Sequence, residues 1–439
     1  MGNLQRNGHT GKTIAWMRGR SVLGLMVVFG CIGATVASQA QPLTVTVQQA
    51  LQEAVEKNLT LLAERYNLSI AETRILTAGL RPNPVLSIGS DHLDLLGTKY
   101  NEINAAGPPE YSIRTDFIWE RGQKRRYRME VAQQEKAIAQ AQLLNATRAL
   151  VLDVQNAFVE ILLAKETLAL AQRNQNSFRR IVQISTERVR AGDLAPVELV
   201  RTQLAELQFN NAVIQGQARL RIAKQRLQLL MGRLVPSESF DITGELRHDS
   251  LPVALADLQQ QALIRRPDYQ ALVKSEARSQ ANIRLQLAQG KSDFTFGTEY
   301  RRQQGLAGTG NSLGFFMSIP LPIFNRNQGE IERARQEQRQ VVARLHALET
   351  EIRNELSAAW QQYEASRVLL ARIETDMLGQ ARRVLATMEY SYRTGAASLV
   401  ELLDAQRAFN DTMQSYNDAR AEYARSFYLL DAAVGNNVR

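Results

Sequence analysis

Two carboxylates near the carboxyl end are the side chains best placed to do chemistry, and that chemistry would be electrostatic. Glu401 and Asp404 stand three residues apart in a segment predicted to be helical, so they share one face. Like charges at this spacing repel weakly, so helix stability gives no reason for the pair. Glu401 also completes the pattern Ser398-x-x-Glu401, a capping box, and capping is an alternative role for it. Asp404 lies too deep in the helix to cap.

No residue spacing indicates catalysis, a bound cofactor or a resident metal. Beyond the first forty residues the histidines are His92, His248 and His346, which are far apart and have no zinc-ligand spacing. The glycine-rich stretch Gly308–Gly314 lacks the Lys-Ser/Thr that ends a phosphate-binding loop, and we interpret it as a surface loop between strands. We expect a protein that is not an enzyme.

The carboxylates belong to a long internal repeat. Residues 187–203 read ERVRAGDLAPVELVRTQ and residues 390–406 read YSYRTGAASLVELLDAQ. Superposition pairs Gly192 with Gly395, Val197 with Val400, Glu198 with Glu401, Leu199 with Leu402, and Gln203 with Gln406. Solenoid units are ~20–50 residues long, so this repeat indicates a duplicated half-protein instead. Glu198 is therefore the counterpart of Glu401.

Each half is predicted to contain a first helix, a long helix, a short glycine turn and a return helix. Strong helix formers run without Gly or Pro from Gln123 to Ala191, enough for a rod of roughly 100 Å. The predicted helices are Thr46–Ala78, Gln123–Ala191 and Pro196–Met231, then Ala254–Gln289, Gly329–Arg393 (interrupted only by Gly379) and Ser398–Val434. Their narrow apolar stripes are typical of a thin helical wall, and a coiled-coil spacer without a lumen is the alternative.

Four segments of alternating polarity lie between the first and long helices. They are Pro84–His92, Tyr111–Trp119, Asp293–Arg301 and Leu313–Leu321. Each is ~9 residues, close to the length of a tilted transmembrane strand, with an apolar, aromatic face and a polar one. A soluble sheet with one wet face is the alternative. Because four strands cannot close a barrel and lipid tolerates no open edge, a membrane sheet would need other copies of the chain.

The predicted fold class is therefore mainly α with a small β part. It comprises a long-helix α-barrel, a transmembrane β-barrel completed by trimerisation with four strands per chain, and two internal structural repeats. The predicted boundaries are a signal peptide at 1–40, a first repeat at 41–235, a linker at 236–252 and a second repeat at 253–439.

The amino terminus has the pattern of a secretory signal. Basic residues and no acid precede an apolar stretch too short to span a bilayer comfortably, and small residues follow up to Ala40. Cys31, the one cysteine, lies in a poor lipobox, so ordinary cleavage is favoured over lipidation there. Cleavage would remove four bases and reduce the formal charge of +9 to about +5, too mild to indicate a nucleic-acid partner.

The element order and two motifs resemble the TolC-like outer-membrane efflux factors. The first motif is Tyr392-x-x-Gly395 followed by LVELLDAQ from Leu399, and the second is IPLPIFNRNQG from Ile319. That second motif, with ERGQKRR from Glu120, resembles most the CzcC-type cation-efflux branch of the family.

This resemblance implies a homotrimer that forms a twelve-stranded pore in the outer membrane of a Gram-negative bacterium. The helices would form a periplasmic tunnel, and the turns at Gly192 and Gly395 would meet a periplasmic adaptor and an inner-membrane pump of the RND type. The chain would be the passive duct of a tripartite efflux pump for heavy-metal cations. A duct for a drug or protein exporter and an exported coiled-coil adaptor are the alternatives.

The resemblance also suggests roles for particular residues. Glu401 and Asp404 match acidic rings that face the lumen, and Glu198 is a weaker candidate for the same role. Tyr392 matches a gate tyrosine, although it could equally be a packed aromatic. The Arg that the best-known members carry two positions after the glycine is Ala397 here, so Arg393 or Asp193 is a candidate for a different closing contact.

Overall fold

The computed structural model describes residues 44–97, 109–249, 254–305 and 308–436. Cys31 and the whole predicted signal at 1–40 lie outside these residues, as do residues 250–252 of the predicted linker.

The described helices occur in the same order in the two halves of the chain. The first half contains α1 (Val47–Lys57), α2 (Leu59–Gly79), α3 (Lys124–Ala191) and α4 (Pro196–Leu230). The second half contains α5 (Leu255–Arg265), α6 (Pro267–Gln289), α7 (Gln328–Arg372), α8 (Leu378–Arg393) and α9 (Leu399–Val434). The long helices and return helices confirm the mainly α prediction to within a few residues at most ends.

The prediction of one continuous first helix in each half is wrong. Asn58 separates α1 from α2, and its side chain accepts a hydrogen bond from the Leu61 amide and donates one to the Leu230 carbonyl. Arg266 separates α5 from α6 because the ring of Pro267 disfavours helical geometry in the preceding residue, which is extended at φ −65° and ψ 120°.

The long helix of the second half is also interrupted, though not at Gly379. A π-helical segment, Ile373–Met377, joins α7 to α8, while Gly379 lies inside α8. Insertions of this kind widen one turn of a helix and shift the register of the residues that follow. The counterpart α3 runs for 68 residues without such a break.

The strands form two sheets. β1 (Thr44–Val45) pairs in parallel with β4 (Asp241–Ile242), a contact that the sequence did not suggest. The larger sheet contains β2 (Val85–Asp91), β3 (Glu110–Trp119), β5 (Phe294–Gly305) and β6 (Gly308–Ser318) in the antiparallel order β2-β3-β5-β6. β2 and β3 form one hairpin and β5 and β6 form another, and the two hairpins are joined edge to edge through β3 and β5.

Two details of the strand prediction are wrong. The stretch Gly308–Gly314 is not a surface loop but the first part of β6, where Gly310 pairs with Gln303 and Gly314 with Glu299. Ladder hydrogen bonds along β5 explain the difference, since they hold even a glycine-rich segment extended. β6 ends at Ser318, because Pro320 lacks the N–H that would continue the ladder.

Apolar clusters lie at separate heights along the helices rather than in one thick core. One joins α1, α3 and α4 with Phe240, a second joins α5, α7 and α9, and a third lies near the glycine turns around Phe178, Tyr392 and Leu402. α3 packs against α2, α4, α6 and α9 in turn along its length. The helical part is a layer of long helices with the four-stranded sheet at one end.

Candidate functional site

The four-stranded sheet exposes its apolar face. The directly paired residues Ile88, Ile113, Tyr300 and Leu313 form one row across the four strands. Phe117, Phe296 and Met317 form another row, and Phe315 lies between them opposite Thr298. All of these residues are exposed, up to 78% for Ile88 and 77% for Phe315.

The opposite face carries the charges, and it is the more shielded of the two. Arg301 lies between two carboxylates, 2.8 Å from Glu299 and 3.0 Å from Glu110. Arg114 pairs with Asp116 at 2.9 Å and covers the ring of Phe316 at 4.7 Å from its centroid. Glu299 is only 7% exposed.

This distribution is the reverse of what a soluble sheet with one wet face requires. In such a sheet the apolar face packs on the core and the polar face meets water. Here the apolar face is uncovered in the chain and is too large a patch for an ordinary monomer surface. The observation favours the membrane interpretation of the four strands.

The two glycine turns lie at the far end of the long helices and are open to solvent. Gly192 and Gly395 have φ of +83° and +80°, a left-handed geometry that glycine adopts without strain. Each turn ends its helix with a backbone hydrogen bond between residues five positions apart. The Asp193 amide donates to the Arg188 carbonyl, and the Ala396 amide donates to the Ser391 carbonyl. A side chain added at Gly192 would meet no atom within 4 Å.

Glu401 serves as a helix cap. Its carboxylate accepts hydrogen bonds from the Ser398 amide at 2.7 Å and the Ser398 hydroxyl at 2.8 Å, and the Ser398 hydroxyl accepts from the Glu401 amide. The hydrogen bonds from Ser398, with the backbone amide foremost, lower the pKa of Glu401 from its usual value. Its carboxylate is also exposed, so capping leaves it accessible to a cation.

Asp404 points to solvent from the next turn of α9. Its side chain is 69% exposed and comes no nearer than 3.9 Å to Arg407, one turn further on. Glu198, the counterpart of Glu401, differs because it pairs with Arg201 at 2.9 Å and makes no cap hydrogen bond. The structure therefore brings Glu401 and Asp404 to neighbouring exposed positions and gives Glu198 a different partner.

Two further acids lie on the exposed face of α9 and were missed in the sequence. Asp411 and Asp418 follow Asp404 at intervals of seven residues, and all three are exposed. A seven-residue interval is two helical turns, so the three carboxylates lie in one line along the helix. That interval was the signal that could have found them.

Tyr392 is a packed residue with a polar contact. It is 2% exposed in the cluster with Phe178 and Leu402. Its hydroxyl lies 3.0 Å from the hydroxyl of Ser185, and Arg188 donates to its carbonyl at 3.4 Å. Both partners lie on α3, the long helix of the other half, and neither was anticipated from the sequence.

The residues considered as substitutes for the absent gate arginine lie apart from Tyr392's contacts. Arg393 donates to the Glu389 carbonyl of its own helix. Asp193 takes part in the turn through its backbone amide. Arg188 instead approaches the second turn. Its guanidinium nitrogen lies 3.7 Å from the position that the β-carbon of a side chain at residue 395 would take.

The return helix α4 carries an exposed apolar stripe. Its members recur at three and four residues, as in a coiled-coil seam, and each is more than half exposed: Val197, Val200, Leu204, Leu207 and Ile214. The opposite face of α4, which includes Thr202, Ala205 and Val213, is buried in the chain. The exposed stripe is therefore a second apolar surface that this chain does not cover.

In the part of the chain that the structure describes, no helix has the length and apolarity to cross a bilayer. Within the same residues, no group of three or more His, Cys, Asp or Glu side chains is arranged to hold a metal ion.

Comparison with known proteins gives one consistent result. The model of the family described as outer membrane efflux protein matches residues 117–233 and 258–436. The chain is 25% identical over 398 residues to the cobalt-zinc-cadmium resistance protein CzcC of Cupriavidus metallidurans, covering 89% of this chain and 90% of that protein. It is 24% identical over 416 residues to nodulation protein T of Rhizobium leguminosarum bv. trifolii, covering 90% and 85%.

The fold is similar to that of solved outer-membrane channels. A crystal structure of CusC superimposes with a TM-score of 0.72 at 18% sequence identity, covering 90% of this chain and 93% of that one. At this identity the likeness establishes the arrangement of helices and strands.

Proposed function

The chain belongs to the outer membrane efflux protein family and is an outer-membrane protein that extends into the periplasm. We propose that it is the channel of a tripartite efflux pump, conducting heavy-metal cations passively from a periplasmic adaptor and an inner-membrane pump of the RND type to the exterior. Family membership speaks against the exported-adaptor alternative.

The observation that carries this proposal is the uncovered apolar face of the sheet. Strand pairing places aromatic and aliphatic side chains on that face in rows, with the ion pairs of Arg114 and Arg301 on the other. A strand in a membrane pore needs an apolar side toward lipid and a polar side toward water. The sheet has both, and the long helices leave it at one end.

A trimer accounts for two features that the single chain leaves incomplete. β2 and β6 are the edge strands of the sheet, and lipid requires every backbone N–H and C=O to be paired. Pairing β6 of one copy with β2 of the next satisfies both edges. The stripe on α4, from Val197 to Ile214, then packs against a neighbouring helix in the tunnel wall.

The proposed partners dock at the glycine turns. Gly192 and Gly395 lie in open surface at the ends of the long helices, where a periplasmic adaptor or the pump can approach them without displacing packed side chains. The contacts of Tyr392 with Ser185 and Arg188 join the two halves directly behind these turns. In the proposed channel they help to hold the closed position of the gate.

The assignment to cations rests on charge and on the similarity to CzcC. Glu401 and the line of Asp404, Asp411 and Asp418 are exposed on α9. If that face lines the tunnel, three copies repeat each carboxylate around the axis, and rings of carboxylates favour cations. The printed name of CzcC refers to cobalt, zinc and cadmium resistance.

The test is growth of a strain that lacks this gene on a panel of metal salts and organic toxicants. Hypersensitivity to divalent transition-metal ions, restored by the wild-type gene, is the expected result. Sensitivity to dyes, detergents or antibiotics instead would retain the channel and replace its substrate. Normal growth on the entire panel, with any parallel efflux channels also deleted, would contradict an efflux role.

A further inference from the structure

A basic pocket lies where the sheet meets the helices. Its cavity of about 270 Å³ is lined by the segment that follows α2, the end of β3 and the start of α3: Arg81, Pro82, Ile118, Trp119, Glu120, Gln123, Lys124 and Arg125. We call this the corner pocket. Trp119 is 66% exposed, so the pocket has an open aromatic wall beside its charged groups.

Positive charge is in excess in the lining of the corner pocket. The lining bases are Arg81, Lys124 and Arg125, and the lining acid is Glu120. Glu120 is already paired with Arg128, and Lys124 is paired with Asp293 at 2.7 Å. Among the described residues, Arg81 and Arg125 have no carboxylate within 4 Å, so their charges remain available to an anion.

Helix stability does not explain these bases. The first turn of α3 contains Lys124, Arg125 and Arg126, no acid and no side-chain cap, although the amino end of a helix favours negative charge. The corresponding turn of α7 contains Glu330. The charges on α3 therefore oppose the dipole of their own helix, and an external anion would relieve that.

The position of the corner pocket indicates the anion. The apolar face of the sheet ends here, with Trp119 and the 91% exposed Phe324 at the junction. Exposed aromatic residues at the ends of membrane strands lie at the level of the lipid headgroups. Under the proposed function, which this inference rests on, the helices leave toward the periplasm, so the pocket faces the inner leaflet.

We propose that the corner pocket binds the phosphate of an anionic phospholipid headgroup. The exposed guanidinium of Arg81 and that of Arg125, which also donates to the Gly79 carbonyl, supply the fork geometry that suits a phosphate. Trp119, which lies on the apolar face of β3, contacts the glycerol and upper acyl region. Lys124, paired with Asp293, stays in the wall of the pocket as a structural group.

Tryptophan fluorescence provides a local test. The chain has three tryptophans, of which Trp16 lies in the predicted signal, so Trp360→Phe leaves Trp119 as the reporter. The full-length mature protein with this change is reconstituted in equimolar phosphatidylglycerol and phosphatidylcholine vesicles. Two samples are compared, one with bromine on the acyl chains of phosphatidylglycerol and one with bromine on those of phosphatidylcholine. Bromine quenches the fluorescence of a nearby indole. Stronger quenching by brominated phosphatidylglycerol is expected.

Substitutions at Arg81 test the role of its charge. Because one base near an anionic surface contributes about a fivefold preference, Arg81→Gln should reduce the relative binding constant for phosphatidylglycerol by about that factor. Arg81→Lys should retain most of it. Arg344→Gln, an exposed arginine on α7 away from the pocket, is the matched control and should change nothing.

The outcomes separate this inference from the proposed function. Equal quenching by the two brominated lipids would leave the membrane position intact and overturn the headgroup site. Quenching by neither lipid would overturn the membrane position of the sheet as well. A preference that millimolar inorganic phosphate abolishes would assign the pocket to free phosphate instead, and one that survives it supports the lipid.

Discussion

At the scale of single residues, the two carboxylates predicted on α9 differ in their contacts. Glu401 caps the helix, whereas Asp404 points to solvent. The Glu401 carboxylate accepts two hydrogen bonds from Ser398, and the Glu401 amide donates a third to the Ser398 hydroxyl. Removal of the carboxylate would therefore disturb the helix start as well as the local charge. Asp404 is 69% exposed with its nearest base at 3.9 Å. Asp404 is therefore the better residue with which to test electrostatics alone.

We expect Asp404→Asn to reduce the preference of the open channel for cations by about two- to fivefold, because one charge in a wet constriction contributes on the order of 0.5–1 kcal/mol. The measurement is the ratio of cation to anion permeability of single channels in planar bilayers. The effect should shrink as salt rises and screens the charge.

Glu332→Gln is the matched control, since it removes an exposed carboxylate from α7 far from the turns. It should leave the permeability ratio unchanged. An unaltered ratio for Asp404→Asn at low salt would argue that this carboxylate does not face the lumen.

At the scale of elements, strand alternation decides which substitutions the sheet accepts. Phe315 and Ser312 lie on the same strand but on opposite faces, as their partners Thr298 and Arg301 indicate. We therefore expect the cost of adding a charge to β6 to depend on which face the residue occupies.

Phe315→Arg should cost ~2–4 kcal/mol if the residue faces lipid near the midplane, since a charge must then enter hydrocarbon. Ser312→Arg puts the same charge on the polar face and should cost much less. The yield of folded protein in outer-membrane fractions compares the two. Equal, normal yields would contradict the orientation of the sheet.

The stripe on α4 makes a separate prediction. Leu204→Glu should weaken the trimer, since it loses about 2 kcal/mol of apolar burial per chain and brings a charge into the seam. Leu204→Met keeps the apolar contact and serves as the control. Size measurement in detergent gives the trimer fraction, and a fully trimeric Leu204→Glu protein would show that this stripe lies outside the interface.

At the scale of the whole molecule, a charged junction fastens the two halves together. Arg266, at the break between α5 and α6, bonds Asp268 at 2.6 Å, Glu355 at 2.7 Å and the Ala433 carbonyl at 3.2 Å. Arg148 of α3 donates to the adjacent Ala432 carbonyl at 2.8 Å and also approaches Asp268. Four helices thus meet at the carboxyl end of α9, where cations suit the helix dipole.

Asp268 makes the stability of this junction depend on pH. Burial opposes its ionisation, but the hydrogen bond and charge of Arg266 outweigh that effect and hold the pKa of Asp268 below its usual 3.8. A carboxylate with a lowered folded pKa stabilises the protein above the unfolded pKa, and this stabilisation is lost as pH falls through the folded value.

We expect Asp268→Asn to lower the free energy of unfolding at neutral pH by about 3 kcal/mol, because it leaves a buried arginine short of a partner. The difference in unfolding free energy between Asp268→Asn and the wild type should shrink below pH 3.8, where Asp268 itself becomes protonated. Denaturant unfolding in detergent at a series of pH values measures this difference. Asp257→Asn, an exposed acid in the first turn of α5, is the control. A deficit that stays constant with pH would exclude the charge as its cause.

The sequence by itself determined the long helices, the glycine turns and the four alternating strands, because these depend on local propensity and on periods of two or about 3.6 residues. The capping role of Glu401 was likewise contained in the spacing from Ser398. Gln123 and Asn327, which start the two long helices at positive φ, give no such local signal.

Only the tertiary structure decided how the elements meet. The joining of β3 to β5, the contact of Tyr392 with Ser185 and the junction at Arg266 link residues more than 80 positions apart. The corner pocket brings Arg81 together with Lys124 and Arg125 across the first hairpin. The exposure of the sheet's apolar face also emerged only there, because alternation shows that two faces differ but not which one the chain covers. Such contacts depend on packing between distant segments, which no local pattern of residues records.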